Sequence, residues 1–465
     1  MQAATTAPLS AIPHPPRLPL LGNLHQLANA QNILASIEKV LAEYGPVVEM
    51  QVSQNTIVLV GDHATFAEIS QEARFEKAIG RSLELLRPAV GRGLFTVRNE
   101  EAEWGKAHRV LVPAFGRLAM RRYLGVMVDR AQALADRFQA SSVDGYASVV
   151  PETTAVALDT IGLCGFGVDL GLLSRGEPHP FVDAMTRVLL GVQRDLARPV
   201  FVGRIDLAAR ARQRRDIRIM RTMVDDIIVE RRRTGVEGDD LLALMLTTPD
   251  PQDGTFMDDQ NVRDQVLTFL IAGHETTSGL LGYALHALAH HPEVYARAQA
   301  EVDAVLGTDP DAVPDQGSIS KLPYLRQVID ETLRLWPTAP VYIRQPKEAT
   351  TICGRYDVPP GRELLCVMPA IHRDPSIWGP DANNFNPDNF GPDAPKRPAT
   401  AYRPFGTGPR TCLGRMFALT EAMVVLSMLL HRFDIELEPG YQLRTRQTLT
   451  IKPIDLRMRF VPRAH

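Results

Sequence analysis

The sequence predicts a mainly α-helical fold carrying a few small β-sheets. Three observations lead there. A proline-free run extends from Pro251 to Pro292 and is apolar on more than one face, as a helix through the middle of a large core must be. Residues 116–248 read as a succession of amphipathic helices. Alternation of apolar and polar residues, the mark of strands, is confined to short stretches at 47–60, 355–371 and 447–461. The chain has 465 residues, 45% of them hydrophobic, which is enough for one large core. No linker of shifted composition divides it, so residues 1–465 are expected to form a single domain.

In chain order, residues 1–30 form an irregular lead-in stiffened by Pro13, Pro15, Pro16 and Pro19. Ile33, Leu34, Ile37, Val40 and Leu41 have helical spacing over 31–44. Val48, Met50 and Val52 alternate with polar residues, Ser53-Gln54-Asn55 turns, and Ile57-Val58-Leu59-Val60 returns as a hairpin. Arg74-Phe75-Glu76-Lys77 precedes a Gly-rich loop, Gly91-Arg92-Gly93-Leu94-Phe95-Thr96. Trp104 and His108 stand four apart and share a helix face, so their N–H groups suit a carboxylate; a core tryptophan beside a surface histidine is the plainer alternative. The arginine-rich stretch 207–233 carries an apolar stripe, Ile217, Met220, Val224 and Ile227. Its arginines alternate with Asp216, Asp225, Asp226 and Glu230, as on a solvated helix face rather than a nucleic-acid surface. Leu449, Ile451, Leu456, Met458 and Phe460 give the C-terminal strands.

Composition excludes several classes. A net charge of −3 argues against nucleic acid or an anionic membrane as the main partner. The four cysteines, Cys164, Cys353, Cys366 and Cys412, have no zinc or disulfide spacing, which suits a reducing compartment. No apolar run reaches the roughly 20 residues of a membrane span, and no signal peptide is seen. The expectation is a soluble, cytoplasmic protein without a membrane anchor.

Three motifs carry chemistry. Phe405-Gly406-Thr407-Gly408-Pro409-Arg410-Thr411-Cys412-Leu413-Gly414 reads as a small, stiff loop that presents a thiolate to a flat macrocycle. Gly406, Gly408 and Gly414 permit close approach and φ > 0. Backbone N–H groups can point at the sulfur, and a helix starting after Gly414 favours negative charge there. Arg410 can pair with an acidic group of the macrocycle, and Phe405 can shield the sulfur. Ala272-Gly273-His274-Glu275-Thr276-Thr277 puts a glycine and hydroxyl residues inside the central helix, against helix propensity. Such a breach of local rules in a core helix marks a functional site. Here Ala272 and Gly273 leave room for a ligand, Thr276 offers it a hydrogen bond and Glu275 relays protons. Glu331 and Arg334, three apart, share a face of a third helix that ends in Leu335-Trp336-Pro337.

Together the patterns F-x-x-G-x-R-x-C-x-G, A-G-x-E-T-T and E-x-x-R resemble the cytochrome P-450 family of haem-thiolate monooxygenases. The stretch from Arg74 to Phe115 is similar to the haem domain of bacterial fatty-acid hydroxylases fused to a reductase. The resemblance implies the cytochrome P-450 fold and a haem b whose iron is bound by Cys412. Phe405, Gly406, Arg410 and Gly414 would surround the haem. Lys77, Trp104, His108 and Arg344 would face its propionates, and Phe95, Ala272 and Gly273 would lie on the opposite face. Glu275 and Thr276 would be catalytic, handling protons for dioxygen. Phe269 and Thr338–Ile343 would shape the pocket, and Pro180–Leu196 would roof it.

The implied reaction is hydroxylation of a small apolar substrate: a fatty acid, terpenoid or polyketide. The carboxylate clamp of the fatty-acid hydroxylases is missing, since no arginine or tyrosine lies between Val47 and Val60. No flavin or NADPH module follows, so electrons are expected from a separate ferredoxin, flavodoxin or reductase. That donor would dock on Lys396, Arg397, Arg403, Arg415, Arg117, Arg121 and Arg122. The sequence departs from the family at Pro387-Asp388-Asn389-Phe390, where an arginine usually stands at 389. Asn389 or His372-Arg373 must then complete the Glu331–Arg334 network. A peroxide-driven haem enzyme and a haem-binding sensor are the alternatives.

Overall fold

The proline-free run forms one helix, Asp259–His290, capped by the Asp258 side chain, which accepts from the backbone N–H of Asn261. Most of its residues are buried on all sides, which explains why the run is apolar on more than one face. The computed structural model describes residues 11–19, 21–27, 32–52, 55–142, 145–174, 179–196 and 206–464. Residues 1–10, 20 and 28–30 of the lead-in, and Ser53 and Gln54 of the hairpin turn, lie outside them. Around the central helix pack Val149–Phe166, Pro323–Leu335 and Arg415–Arg432, all within one apolar core. Val149–Phe166 is long and apolar enough to cross a membrane by length and composition, but 67% of it is buried inside the protein. Its apolar surface is used up against the central helix.

The hairpin Val47–Val52 and Asn55–Val60 is antiparallel and opens a five-stranded sheet. Asn55–Val60 runs parallel to Glu363–Val367, which pairs antiparallel with Val341–Pro346, whose far edge takes Phe75–Lys77. A three-stranded sheet joins Ala147–Ser148, Arg457–Pro462 and Phe433–Leu437. Two regions expected as continuous strands are broken. After Glu363–Val367 the chain turns into a short helix at Met368–Ile371, with Pro369 in its first turn. Within 447–461, Leu449 falls between the strands Thr445–Gln447 and Ile451–Pro453, and Leu456 between Ile451–Pro453 and Arg457–Pro462. The lead-in is more ordered than expected: Leu24–Leu27 is a 3-10 turn, and Gly22 bridges to Val52.

The arginine-rich stretch is a helix, Leu207–Thr234, that buries Met220, Val224 and Ile228. Several of its charges are paired within the protein, as Arg187–Asp216, Arg231–Asp240 and Arg232–Asp259 show. This is the solvated-face reading.

Glu331 and Arg334 are both fully buried and bonded to each other twice, at 2.6 and 2.6 Å. Arg334 also donates to the carbonyls of His372, Ala382 and Asn384. Glu331 accepts from the backbone N–H of Asn386 at 2.8 Å and from Asn389 Nδ2 at 3.1 Å. Asn389 therefore replaces the usual charged donor with a neutral one. Behind it stands a displaced arginine: Arg397 donates to both the backbone and side-chain oxygens of Asn389 and stacks over Trp378. His372 contributes its backbone carbonyl here, while Arg373 turns away to the Leu335 carbonyl.

Glu331→Gln leaves Arg334 buried without its counter-charge and is expected to cost about 3–5 kcal/mol in chemical denaturation. Asn389→Ala removes one neutral hydrogen bond and is expected to cost about 1 kcal/mol. Equal losses would show that the pair does not carry the charge balance of this region.

Candidate active site

The cysteine loop and the middle of the central helix form opposite walls of one cavity of about 480 Å³. On the loop side, Cys412 donates its backbone N–H to the Phe405 carbonyl at 2.8 Å, closing the turn. Gly406 has φ 78°, a conformation that suits glycine, and a Cβ there would lie 3.6 Å from the Tyr342 ring. The Cys412 side chain is exposed to the cavity, and none of the other three cysteines lines it. Cys164 and Cys366 are buried in the core, and Cys353 lies 3.2 Å from the Thr65 hydroxyl. Burial pushes the Cys412 thiol up, while the Gly414 N–H and the Arg415 charge pull it down. A bound metal cation would deprotonate it outright. Gly414 departs from expectation: its φ is −79° and it caps the Arg415–Arg432 helix, so it is not there for a left-handed turn. Its contribution is the N–H beside the sulfur.

One end of the cavity gathers cations. Lys77, Trp104, His108 and Arg410 all line it. Trp104 and His108 stack with ring centroids 4.8 Å apart, and the Arg410 guanidinium lies 4.3 Å over Trp104. Lys77 donates to the Phe95 carbonyl at 2.8 Å, and Arg410 to Asn99 Oδ1 at 3.0 Å. Neither Lys77 nor Arg410 has an ion-pair partner among the described residues. Burial, and then Arg410, pushes Lys77 down to about 7. Burial pushes Arg410 down to about 10, against Tyr342 and Glu76. Burial, with Arg410 and Arg109, lowers His108. Cations crowded and desolvated together in this way form a site for an anion.

Arg344, expected here, is not part of this end. It is buried behind the sheet, bound to Glu72 at 2.7 Å and to the carbonyls of Ile69 and Phe75. Val341, Tyr342 and Ile343 line the cavity, whereas the Arg344 guanidinium reaches back to Glu72 and the Tyr342 hydroxyl.

On the opposite wall, Ala272 is exposed in an otherwise buried helix, and Gly273, Glu275 and Thr276 are half-buried. This is the face the cavity uncovers. The Thr276 hydroxyl donates to the Ala272 carbonyl at 2.9 Å. Gly273 lines the cavity beside Ala272, and a Cβ there would lie 3.2 Å from Cγ1 of Ile161, another wall residue, so its absence also eases the approach of the Val149–Phe166 helix. Glu275 is fixed rather than free. Its carboxylate meets Lys452 Nζ at 2.7 Å, the Thr450 hydroxyl at 2.9 Å and His274 Nε2 at 3.2 Å. Burial alone would raise this carboxyl, but Lys452, aided by His274, holds it well below the usual carboxylate range.

Sequence reading missed this partner set. The signal was there in the C-terminal strand pattern. With Leu449 and Ile451 on one face, Thr448, Thr450 and Lys452 fall on the other. Phe95, Phe269 and Thr338–Ile343 line the cavity, and Phe269 stacks on Phe115 with centroids 5.6 Å apart.

The cytochrome P450 family model matches residues 12–458. The chain belongs to the cytochrome P450 family. It is 41% identical, over 98% of its length and 42% of the relative's, to a bifunctional cytochrome P450/NADPH–P450 reductase of Bacillus cereus. A second such protein, of Bacillus subtilis, is 39% identical over 98% of this chain and 43% of the relative. A self-sufficient cytochrome P450 monooxygenase of Exserohilum turcicum is 37% identical over 100% of this chain and 43% of the relative. The chain thus spans less than half the length of the curated relatives it matches.

The residues present fit the haem of a P450. One accessible thiol, with a backbone N–H beside it, faces a cavity whose far wall is cut back at Ala272. The unpaired cations at one end suit two propionates. Arg410→Gln is expected to speed haem transfer to an acceptor apoprotein about ten- to a hundredfold, the worth of a charged hydrogen bond. Arg344→Gln should leave that rate within about twofold and lower thermal stability instead. The reverse pattern would return Arg344 to the propionate site.

Proposed function

We propose that this P450 is a monooxygenase that inserts one oxygen atom from dioxygen into an apolar substrate. One observation carries the reading: the Cys412 thiol and the Thr276 hydroxyl open from opposite walls onto the same cavity. Cys412 would hold the haem b iron, and Lys77, Trp104, His108 and Arg410 its propionates. The haem, when bound through a thiolate, supplies the oxygen-activating chemistry.

The chain's own residues divide the remaining work. Leu83, Leu94, Phe95, Ile161, Phe269 and Leu189 give the cavity apolar walls that exclude water and bind an apolar skeleton. Thr276 holds a proton at Oγ1 on the open face of the helix. Its bond to the Ala272 carbonyl orients that hydroxyl, which can turn to a ligand in the cavity. Glu275, one residue away, is an anchored anion. Lys452, Thr450 and His274 around it are the proton-bearing groups that could resupply Thr276.

The hairpin at 47–60 offers a carboxylate only Asn55 beside apolar Val52 and Ile57, and Arg81, which also lines the cavity, donates to the Asp195 carbonyl. A fatty acid, terpenoid or polyketide all suit such walls. For the electron donor we propose a reductase, the module to which the bifunctional relatives are joined. Its docking face would include Arg415, Arg117 and Arg121 with the exposed Leu118 and Met416. Arg397, bonded to Asn389, and Arg122, paired with Asp239, are committed within the fold.

Turnover under isotope-labelled dioxygen with a surrogate reductase tests the reaction. The label is expected in the hydroxylated product. Thr276→Ala should keep the haem but divert most reducing equivalents to peroxide. Label arriving from water, or unchanged coupling in Thr276→Ala, would contradict the reading.

A further inference from the structure

The helix Pro180–Leu196 presents Leu189, Gln193 and Leu196 to the cavity, at spacings of four and three, so one helical face forms this wall. Gln193 is the odd member. It is 5% exposed, and neither its Nε2 nor its Oε1 has a hydrogen-bond partner among the described residues. A buried polar group left unpaired costs about 1–3 kcal/mol. Leucine or methionine at 193 would extend the buried apolar set Phe181, Met185, Val188, Leu189 and Val192 without that cost. The turn carrying Gln193 is also fixed from across the cavity. Arg81, on the facing helix Gly80–Val90, lines the same space and donates Nη2 to the Asp195 carbonyl at 2.8 Å.

Both amide atoms are covered in this conformation, and a turn of the flexible Gln193 side chain presents them to the cavity, so their pairing needs state what the occupant must bring. A bare hydrocarbon would leave both amide atoms unsatisfied. A ketone or ether would serve only the Nε2 donor, and a carboxylate would repel Oε1. A hydroxyl can accept from Nε2 and donate to Oε1. We propose that Gln193 is a substrate-recognition residue, and that the preferred substrate carries a hydroxyl group on its apolar skeleton, remote from the carbon to be oxidised. This rests on the cavity being the substrate site of the proposed monooxygenase, and it narrows the substrate class within that reading. A site that hydrogen-bonds one substrate group rejects analogues lacking it, because its own polar atoms are then left unpaired.

The test is calorimetric titration of the haem-loaded protein with dodecanoate and with its monohydroxy positional isomers, for wild type and Gln193→Leu. At least one isomer is expected to bind wild type about tenfold tighter than dodecanoate. Gln193→Leu should shrink that preference to about twofold or less and bind dodecanoate as well as wild type does, or better. No isomer preference in wild type, or a preference that survives Gln193→Leu, overturns the proposal. A second arm needs no ligand. Thermal unfolding of Gln193→Leu should occur about 1–3 °C higher, since a buried unpaired amide has gone; a lower transition would show the amide satisfied within the fold and would also overturn it. Binding equilibria require neither electrons nor dioxygen. A hydroxyl preference without label incorporation would therefore fault the monooxygenase reading alone, and oxygenation of dodecanoate without any hydroxyl preference would fault this inference alone.

Discussion

The buried pair Glu331–Arg334 is the interaction on which the site depends. Two opposite charges with no solvent exposure persist only when every remaining donor and acceptor is met. Here that demand organises the chain leading to the cysteine. Arg334 gathers the carbonyls of His372, Ala382 and Asn384, and Glu331 gathers Asn386 and Asn389. The ring of His372 then accepts the backbone N–H of Arg403 at 3.0 Å. Two residues later Phe405 accepts the N–H of Cys412. A short path of hydrogen bonds and peptide links thus runs from the ion pair to the sulfur. Substituting Asn389 for an arginine does not break this path, because Arg397 supports Asn389 from the next layer.

Opposite that loop, the central helix supplies a surface that is cut back at Ala272 and carries an ionised carboxylate at Glu275. The two walls answer different physical needs. The loop must hold a sulfur near an N–H and a cation without covering it. The helix must offer a hydroxyl while keeping a neighbouring carboxylate ionised in a buried setting, and Lys452 from the C-terminal hairpin meets that requirement. The end lined by Lys77, His108 and Arg410 carries cations without ion-pair partners among the described residues, and the proposed dianionic cofactor would complete it.

Much of this was legible in the sequence because it is local. The all-round apolar helix, the hairpin at 47–60 and the turn from Phe405 to Gly414 each depend on neighbouring residues, and their patterns read directly. The cation cluster was legible only through resemblance, since Lys77, the Trp104–His108 helix and Arg410 come from three separate segments. What failed was tertiary. Arg344 was misplaced because its partners, Glu72 and the carbonyls of Ile69 and Phe75, lie 269 to 275 residues earlier in the chain. The partners of Glu275, and the isolation of Gln193 in an apolar wall, depend on which elements meet across the core, and nothing in local sequence states that.

The central claim is that the Cys412 sulfur is the protein's ligand to a haem iron. The carbon monoxide spectrum of the reduced, haem-loaded protein, compared with that of Cys412→Ser, tests it most directly. The account predicts the red-shifted band of a thiolate-bound haem in the wild type and its loss in the variant. A nitrogen-ligand band in the wild type, or a thiolate band that survives Cys412→Ser, would contradict it.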